Sequence, residues 1–348
     1  MNEIIERIQE SIARKRERIP SSVAFSGPED NVPADQQAMW MVQLLQHTYH
    51  HHAMTDRQSE VAQSIRDGST RCFFAHENGE ALAVAARIVQ PDGAWELGRA
   101  AASTLQRGIG GVVMLSAAQE HFTRSGASLV AEVRVSQAFE GVPGGAATQK
   151  ICLRDIGLQP HALLPLFGHG DPHRQEQFLL SASKLEQNTQ PISAPLTNGI
   201  GDCFSKLISP LGSLRGFKVA LEASQSDTSI NGWELVQRQP FAILRPSPGS
   251  ATLESATSAA FAQAACCLVP IEARSDRHVQ VKELLNHGFV PSGIDRLTGD
   301  NGEPMVQFAR LKPGTVLAPL GLVNSLFNEP QAQALRAIDK TIRKGANS

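Results

Sequence analysis

The segment RCFFAHENGEALAVAARIVQPDGAWELGRAA, residues 71–101, constrains the fold most. Its three apolar runs are separated by Asn78-Gly79 and by Pro91-Asp92-Gly93, both of which are turn sequences that join antiparallel strands. An antiparallel meander is expected. The chain then runs through LQRGIGGVVMLSAAQEHFTRSG, a glycine-rich loop that opens directly into a helix. A strand (SLVAEVRV), a helix (ATQKICLRDIG) and two strands around HALLPLF and QEQFLL follow. Upstream, Ala34 to about His51 reads as a helix, and a second helix starts at a Thr55–Gln58 capping box and stops at Asp67-Gly68. The expected class is α/β in the α+β sense: a mixed, mostly antiparallel sheet flanked by helices.

Several functional classes fall away on composition. Lysine and arginine number 32 against 34 aspartates and glutamates, so the net charge of −2 offers nucleic acid no electrostatic footprint. Cys72, Cys152, Cys203, Cys266 and Cys267 are scattered without a CxxC pair, which fits reduced thiols in a cytoplasm better than disulfides or a structural zinc. The N-terminal MNEIIERIQESIARKRERI lacks the apolar stretch of a signal peptide, and no apolar run reaches membrane-spanning length. A cytoplasmic protein without a membrane partner is expected. Ile4, Ile5, Ile8 and Ile12 recur at helical spacing, and their stripe must dock on the body of the chain or on a second copy, which leaves a homodimer open.

Arg107-Gly108-Ile109-Gly110-Gly111 lies after a strand and at the head of a helix, where backbone N–H groups have no intrahelical acceptor. Such a loop suits an anion, and it equally suits a turn that needs positive φ. It is not a dinucleotide fingerprint, because GxGxxG is missing.

Taken together, the order of elements, the WELGRAA strand, the RGIGG loop and the IGLQP turn resemble the GNAT superfamily of acyl-CoA-dependent N-acyltransferases over roughly residues 30 to 182. The resemblance implies acetyl-CoA or another acyl-CoA as co-substrate. Its pantetheine and pyrophosphate would be held by Ala101 and Ala102 at the strand end and by Arg107, Gly108, Ile109, Gly110 and Gly111. The family's Q/R-x-x-G-x-G/A loop keeps both glycines here, while Leu105 replaces the leading Gln or Arg. Glu96 falls where many members carry their general base; on the residues alone it is equally a strand-edge glutamate paired with Arg99 or Arg134, and burial beside Trp95 would raise its pKa. The tyrosine that members often carry four residues before the helix-ending glycine is Leu153 here, Tyr49 is the only tyrosine, and neighbouring Cys152 reads as core.

His47, His50 and His51 share one helical face in HTYHHHAMTDRQ. That spacing fits charge at a helix C-terminus, acceptor recognition or proton relay, or a metal shared with a second histidine group; no metal site is assigned. The resemblance makes this turn one wall of the acceptor cleft and FGHGDPHR the other. It thereby offers His50, His51, Arg134, His169 and His173 to a small-molecule amine bearing carboxylate or hydroxyl groups.

Trp233-Glu234-Leu235 echoes Trp95-Glu96-Leu97, and LLNHGFVP echoes LRDIGLQP, so a second, truncated copy is expected. Where the first copy has its glycine loop, the second has Arg245-Pro246-Ser247-Pro248-Gly249, whose prolines delete amide donors. The expected organisation is a helical arm and linker over 1–29, a catalytic domain over 30–183, a linker over 184–199, the degenerate copy over 200–313 and a helical tail over 314–348. Two rivals remain. The WE-x-x-R strand also looks like that of acyl-homoserine lactone synthases and related N-acyl amino acid synthases, which would use acyl carrier protein. A non-catalytic tandem module would account for Leu105 and the missing tyrosine.

Overall fold

A computed structural model describes residues 2–49, 56–90, 93–103, 108–136, 146–167, 174–183, 192–195, 209–212, 219–222, 232–237, 241–272, 277–298 and 304–346. The architecture is mixed α/β, with mostly antiparallel sheet flanked by helices. The chain divides into two compact units: Met1–Val133 with Phe139–Leu158 and Ser181–Ser183, and Arg134–Ala138 with Gln159–Leu180 and Lys184–Ser348. Among the described residues no helix is long and apolar enough to cross a membrane.

In the first unit, strands run in the order β1 (Ala24–Ser26), β2 (Thr70–Glu77), β3 (Glu80–Val89), β4 (Trp95–Ala102), β5 (Leu129–Arg134, its last residue belonging to the second unit). The β1–β4 pairs are antiparallel, and β4 with β5 is parallel. Asn78 and Gly79 both take positive φ, 51° and 85°, which is the turn whose twist suits a two-residue hairpin.

Alternation along the strands gives each face a different partner. Cys72, Phe74, Val84, Ala86 and Ala101 pack against Trp40, Met41, Leu44 and Leu45 of α2 (Ala34–Tyr49) and Val61 of α3 (Gln58–Arg66). Of these, each buried valine, leucine, methionine and phenylalanine contributes about 1.5–3 kcal/mol. The opposite face, which carries Arg87, receives α4 (Ile109–Arg124). Helix α3 begins two residues later than the capping-box reading requires: Arg57 is its N-cap, without a side-chain bond, and Gln58 is its first residue.

The amphipathic arm α1 (Asn2–Arg16) docks on its own chain, against α4 and the segment at the end of α5 (Ala146–Gln149). That segment, Lys150–Ile156, continues α5 with wider turns, and Arg7 closes its end by donating to the Asp155 carbonyl (3.1 Å) and the Ile156 carbonyl (2.8 Å). Ile8, from the predicted stripe, is fully buried.

In the second unit the order is β7 (Arg174–Ala182, its last two residues belonging to the first unit), β6 (Gln159–Phe167), β13 (Val290–Thr298), β14 (Pro304–Leu311), β12 (Cys266–Glu272), β11 (Ala242–Pro246), β10 (Trp233–Gln237), with β15 (Val316–Leu317) parallel to β7. Ile192–Pro195, inside the stretch expected to be linker, forms β8, paired parallel with β9 (Val219–Glu222). The tail helix Glu329–Ala346 packs on β13, β14 and β6, burying Leu335, Ile338 and Ile342 rather than standing free.

The echo of Trp95 at Trp233 proves misplaced by one strand. β10 is antiparallel to β11, and β11 is the strand that runs parallel to β12 through the helix Leu253–Phe261. β4 and β5 are joined in the same way through α4, so the crossover recurs even though the two WEL motifs occupy different strands.

Candidate active site

β4 is paired along its length with β3 but only briefly with β5. Its register with β5 holds at Trp95–Leu129 and Glu96–Val130 and no further among the described residues. Beyond Glu96 the two parallel strands part. A wedge therefore opens at their C-terminal ends, the place where parallel crossovers leave room for a ligand.

Two features shape its mouth. On the β3 side, Ala86 pairs with Gly98 and Val84 with Ala101, so Arg99 and Ala100 together face one residue and form a bulge. At the end of β4, α4 begins. Gly108 is its N-cap with φ 101°, a conformation that only glycine adopts without strain, and its carbonyl accepts from Gly111 (3.1 Å) and Val112 (3.3 Å). The amides of Ile109 and Gly110 fall in the first turn and have no intrahelical acceptor. A Cβ on Gly110 would come within 3.1 Å of Ala102 Cβ, so the glycine lets the helix start close against the strand. Gly108, Ile109, Gly110, Gly111, Ala101 and Ala102 are thus brought together; Arg107 lies outside the described residues.

Glu96 is half-buried, and its carboxylate lies over the bare Gly98: a Cβ there would sit 2.7 Å from Oε1. Oε2 accepts from Gln90 Nε2 at 2.7 Å. Neither proposed arginine forms this bond. Arg134 is buried in an ion pair with Glu176, Nε to Oε2 at 2.5 Å, and its use for an acceptor is corrected accordingly. Trp95 gives Glu96 no apolar cover either, since its ring lies on the other face beneath the Arg87 guanidinium, 4.8 Å away.

Tyr49, the chain's only tyrosine, does not stand at the position before Gly157 where the resemblance expects one, which is Leu153. The fold brings it to the site: its hydroxyl donates to the Ala100 carbonyl at 2.8 Å, tying the end of α2 to the bulge. His47, two residues before Tyr49, is exposed, whereas His50, His51, His169 and His173 lie outside the described residues. Cys152 is core, and burial pushes its thiol up to about 12, which removes it from proton chemistry. Among the described residues no group of His, Cys, Asp and Glu could hold a metal.

A charged network beneath β3 had no sequence signal, because its members are scattered. Glu120 of α4 accepts from Arg87 (2.5 Å) and from Arg71 (2.9 Å). Arg87 also meets Nδ1 of His121 at 3.2 Å, and Nε2 of His121 lies 3.0 Å from the Ala127 carbonyl.

No family model matches the sequence, and no curated protein matches it. Solved structures that resemble it include a protein assigned to the GNAT family of acetyltransferases from Desulfovibrio desulfuricans, at 17% identity over 46% of this chain and 98% of that one, with a TM-score of 0.34. Aminoglycoside 6'-N-acetyltransferase from Enterococcus faecium is 16% identical over 46% of this chain and 96% of its own, with a TM-score of 0.33. An N-acetyltransferase from Staphylococcus aureus Mu50 is 15% identical over 47% and 98%, with a TM-score of 0.36.

Proposed function

We propose that the chain is an N-acyltransferase, most simply an acetyltransferase, that moves an acyl group from acyl-CoA to the amine of a small molecule by direct attack. The wedge between β4 and β5, with the open amides of α4 at its mouth, is the observation that carries this reading. The residues present fit an acyl-CoA. Gly108 and Gly110 leave the first amides of α4 without a covering side chain, suited to a pyrophosphate, and the stretch of β4 from Leu97 to Ala102, paired with β3 but not with β5, lies alongside for an extended pantetheine. Bound there, the co-substrate supplies an activated thioester.

An amine reaches this site protonated, so a base is required. Glu96, held by Gln90 on one oxygen and facing the α2 side of β4, takes the ammonium proton; the new N–C bond forms as the C–S bond breaks, and the second proton lost by the nitrogen goes to the departing sulfur, giving the amide and free CoA. Tyr49 holds the bulge that sets the line of β4.

The expectation of a degenerate copy over 200–313 draws support from the repeated crossover, while residues 159–180, inside the catalytic domain expected over 30–183 and joined by 184–199, fall with the second unit. Pro246 and Pro248 carry no amide hydrogen in the loop that answers to RGIGG, so the second copy holds no pyrophosphate there. Calorimetric titration of acetyl-CoA and CoA into the wild type and Gly110→Pro tests the assignment. Micromolar binding that the variant loses supports it; a wild type that binds neither ends it.

A further inference from the structure

Arg99 is a costly residue where it stands. With φ at 49° it is one of two non-glycine residues of positive φ among those described, and the other, Asn78, sits in a hairpin turn that favours it. A backbone of this kind is retained where the surroundings demand it, and such positions gather at ligand sites. The side chain adds a second cost. Its Nη1 is buried and has no hydrogen-bond partner among the described residues.

The chain matches its fully buried arginines with carboxylates. Arg87 is met by Glu120 and Arg134 by Glu176. Arg99 has instead Cys72, whose thiol burial pushes up to about 12 and so keeps neutral, and Glu96, felt as a charge rather than as a bonded partner. Burial is the main force against its charge, yet a guanidinium does not give up its proton. A half-buried cation with a buried N–H group left unbonded is costly, and an anion that arrives with the substrate relieves the cost.

Its neighbours also fix which side of the sheet this anion occupies. Cys72 belongs to the face that meets α2 and α3, while the α4 amides approach Ala102 from the other direction. The anion at Arg99 is therefore distinct from the pyrophosphate of the co-substrate.

We infer that Arg99 receives a carboxylate carried by the acceptor itself, so that the substrate is a small amine of the amino-acid kind, with its ammonium at Glu96 and its carboxylate at Arg99. This rests on the acyltransferase reading above. Two opposite charges a few bonds apart on one molecule complement two opposite charges on one strand, and a planar carboxylate suits the guanidinium fork. An amine without the carboxylate would leave Arg99 unpaired. Selection by an unpaired buried group is the strongest kind available to a small site.

The test uses acetyl-CoA, the twenty amino acids and the amines formed by their decarboxylation, histidine beside histamine for example, with release of free thiol as the readout. Arg99→Asn and Arg99→Gly remove the charge while tolerating positive φ, so both should fold. The wild type should acetylate at least one amino acid about 10- to 100-fold more efficiently than its decarboxylated twin, the range set by loss of charged hydrogen bonds. In both variants the preference should collapse through KM, with the Kd for acetyl-CoA as in the wild type. Equal use of the paired acceptors, transfer to none of the amino acids, or a preference that survives in the variants overturns the inference. Loss of acetyl-CoA affinity in the variants assigns Arg99 to the co-substrate and overturns it too. Each of these leaves the acyltransferase reading standing, whereas a wild type that fails to bind acetyl-CoA removes both.

Discussion

His121 should make the protein acid-labile at a pH well above the range of carboxylate titration. The ring has no exposure to solvent. It is fixed as the neutral tautomer that donates from Nε2 to the Ala127 carbonyl at 3.0 Å and accepts at Nδ1 from Arg87 at 3.2 Å. Burial is the main cause that pushes its pKa down from 6.5 to about 4; the Arg87 charge adds to it, while the Ala127 bond and Glu120 oppose it. A folded-state pKa below the unfolded value means that the unfolded chain binds the proton first. Stability from this group is therefore complete above pH 6.5 and is lost as the pH falls towards 4. At about 1.4 kcal/mol per pKa unit, the full loss is about 3 kcal/mol, a large share of the stability of an ordinary domain. Urea unfolding of the wild type and of His121→Gln, measured at steps from pH 7 to pH 4.5, isolates the effect, because other titrations cancel in the difference. The variant starts less stable at pH 7, and the gap should narrow as the pH falls. A gap that stays constant over that range would refute the assignment of a neutral, buried imidazole.

Glu96→Gln should lower kcat by about 100- to 10,000-fold, as loss of a general base does, while calorimetry finds acetyl-CoA binding unchanged. Tyr49→Phe removes the bond to Ala100 and should cost about 1 kcal/mol in chemical unfolding, with a fall in kcat from a looser bulge. Gly293→Ala should destabilise by more than about 2 kcal/mol, since φ is 151° and the new Cβ would sit 2.2 Å from both Ala162 Cα and the His161 carbonyl. A melting temperature within a degree or two of the wild type would exclude that contact.

Periodic and turn-forming stretches were legible before the fold was known. The meander with its Asn78-Gly79 hairpin, the glycine entry to α4 and the docking stripe of α1, with Ile8 buried, follow from local chemistry, which depends on neighbours within a few residues. The placement of long side chains was not legible. Whether Arg134 met Glu96 or Glu176, and whether Arg99 met anything, depends on strand order and on a bulge that no local pattern announces. Tyr49 reached β4 because α2 crosses the sheet, an effect of packing over a separation of 51 residues. Trp233 misled for the same reason in reverse: a matching tripeptide carries no information about which strand lies parallel to the next.

The units interleave along the chain, and this bears on how the molecule can be made and cut. Residues 159–180 belong with partners that are synthesised more than a hundred residues later, while 181–183 return to the first unit. During synthesis, β6 must wait for β13, whose Gly293 pairs with Ala162. Ser183, where the sequence offers a tempting place to truncate, is therefore a poor boundary. A fragment ending there would carry β6 with its β13 edge bare, an open template for pairing with another chain. Expression of the candidate site alone would call for the full-length polypeptide, or for a permuted chain that keeps 134–138 and 159–180 beside the strands that cover them.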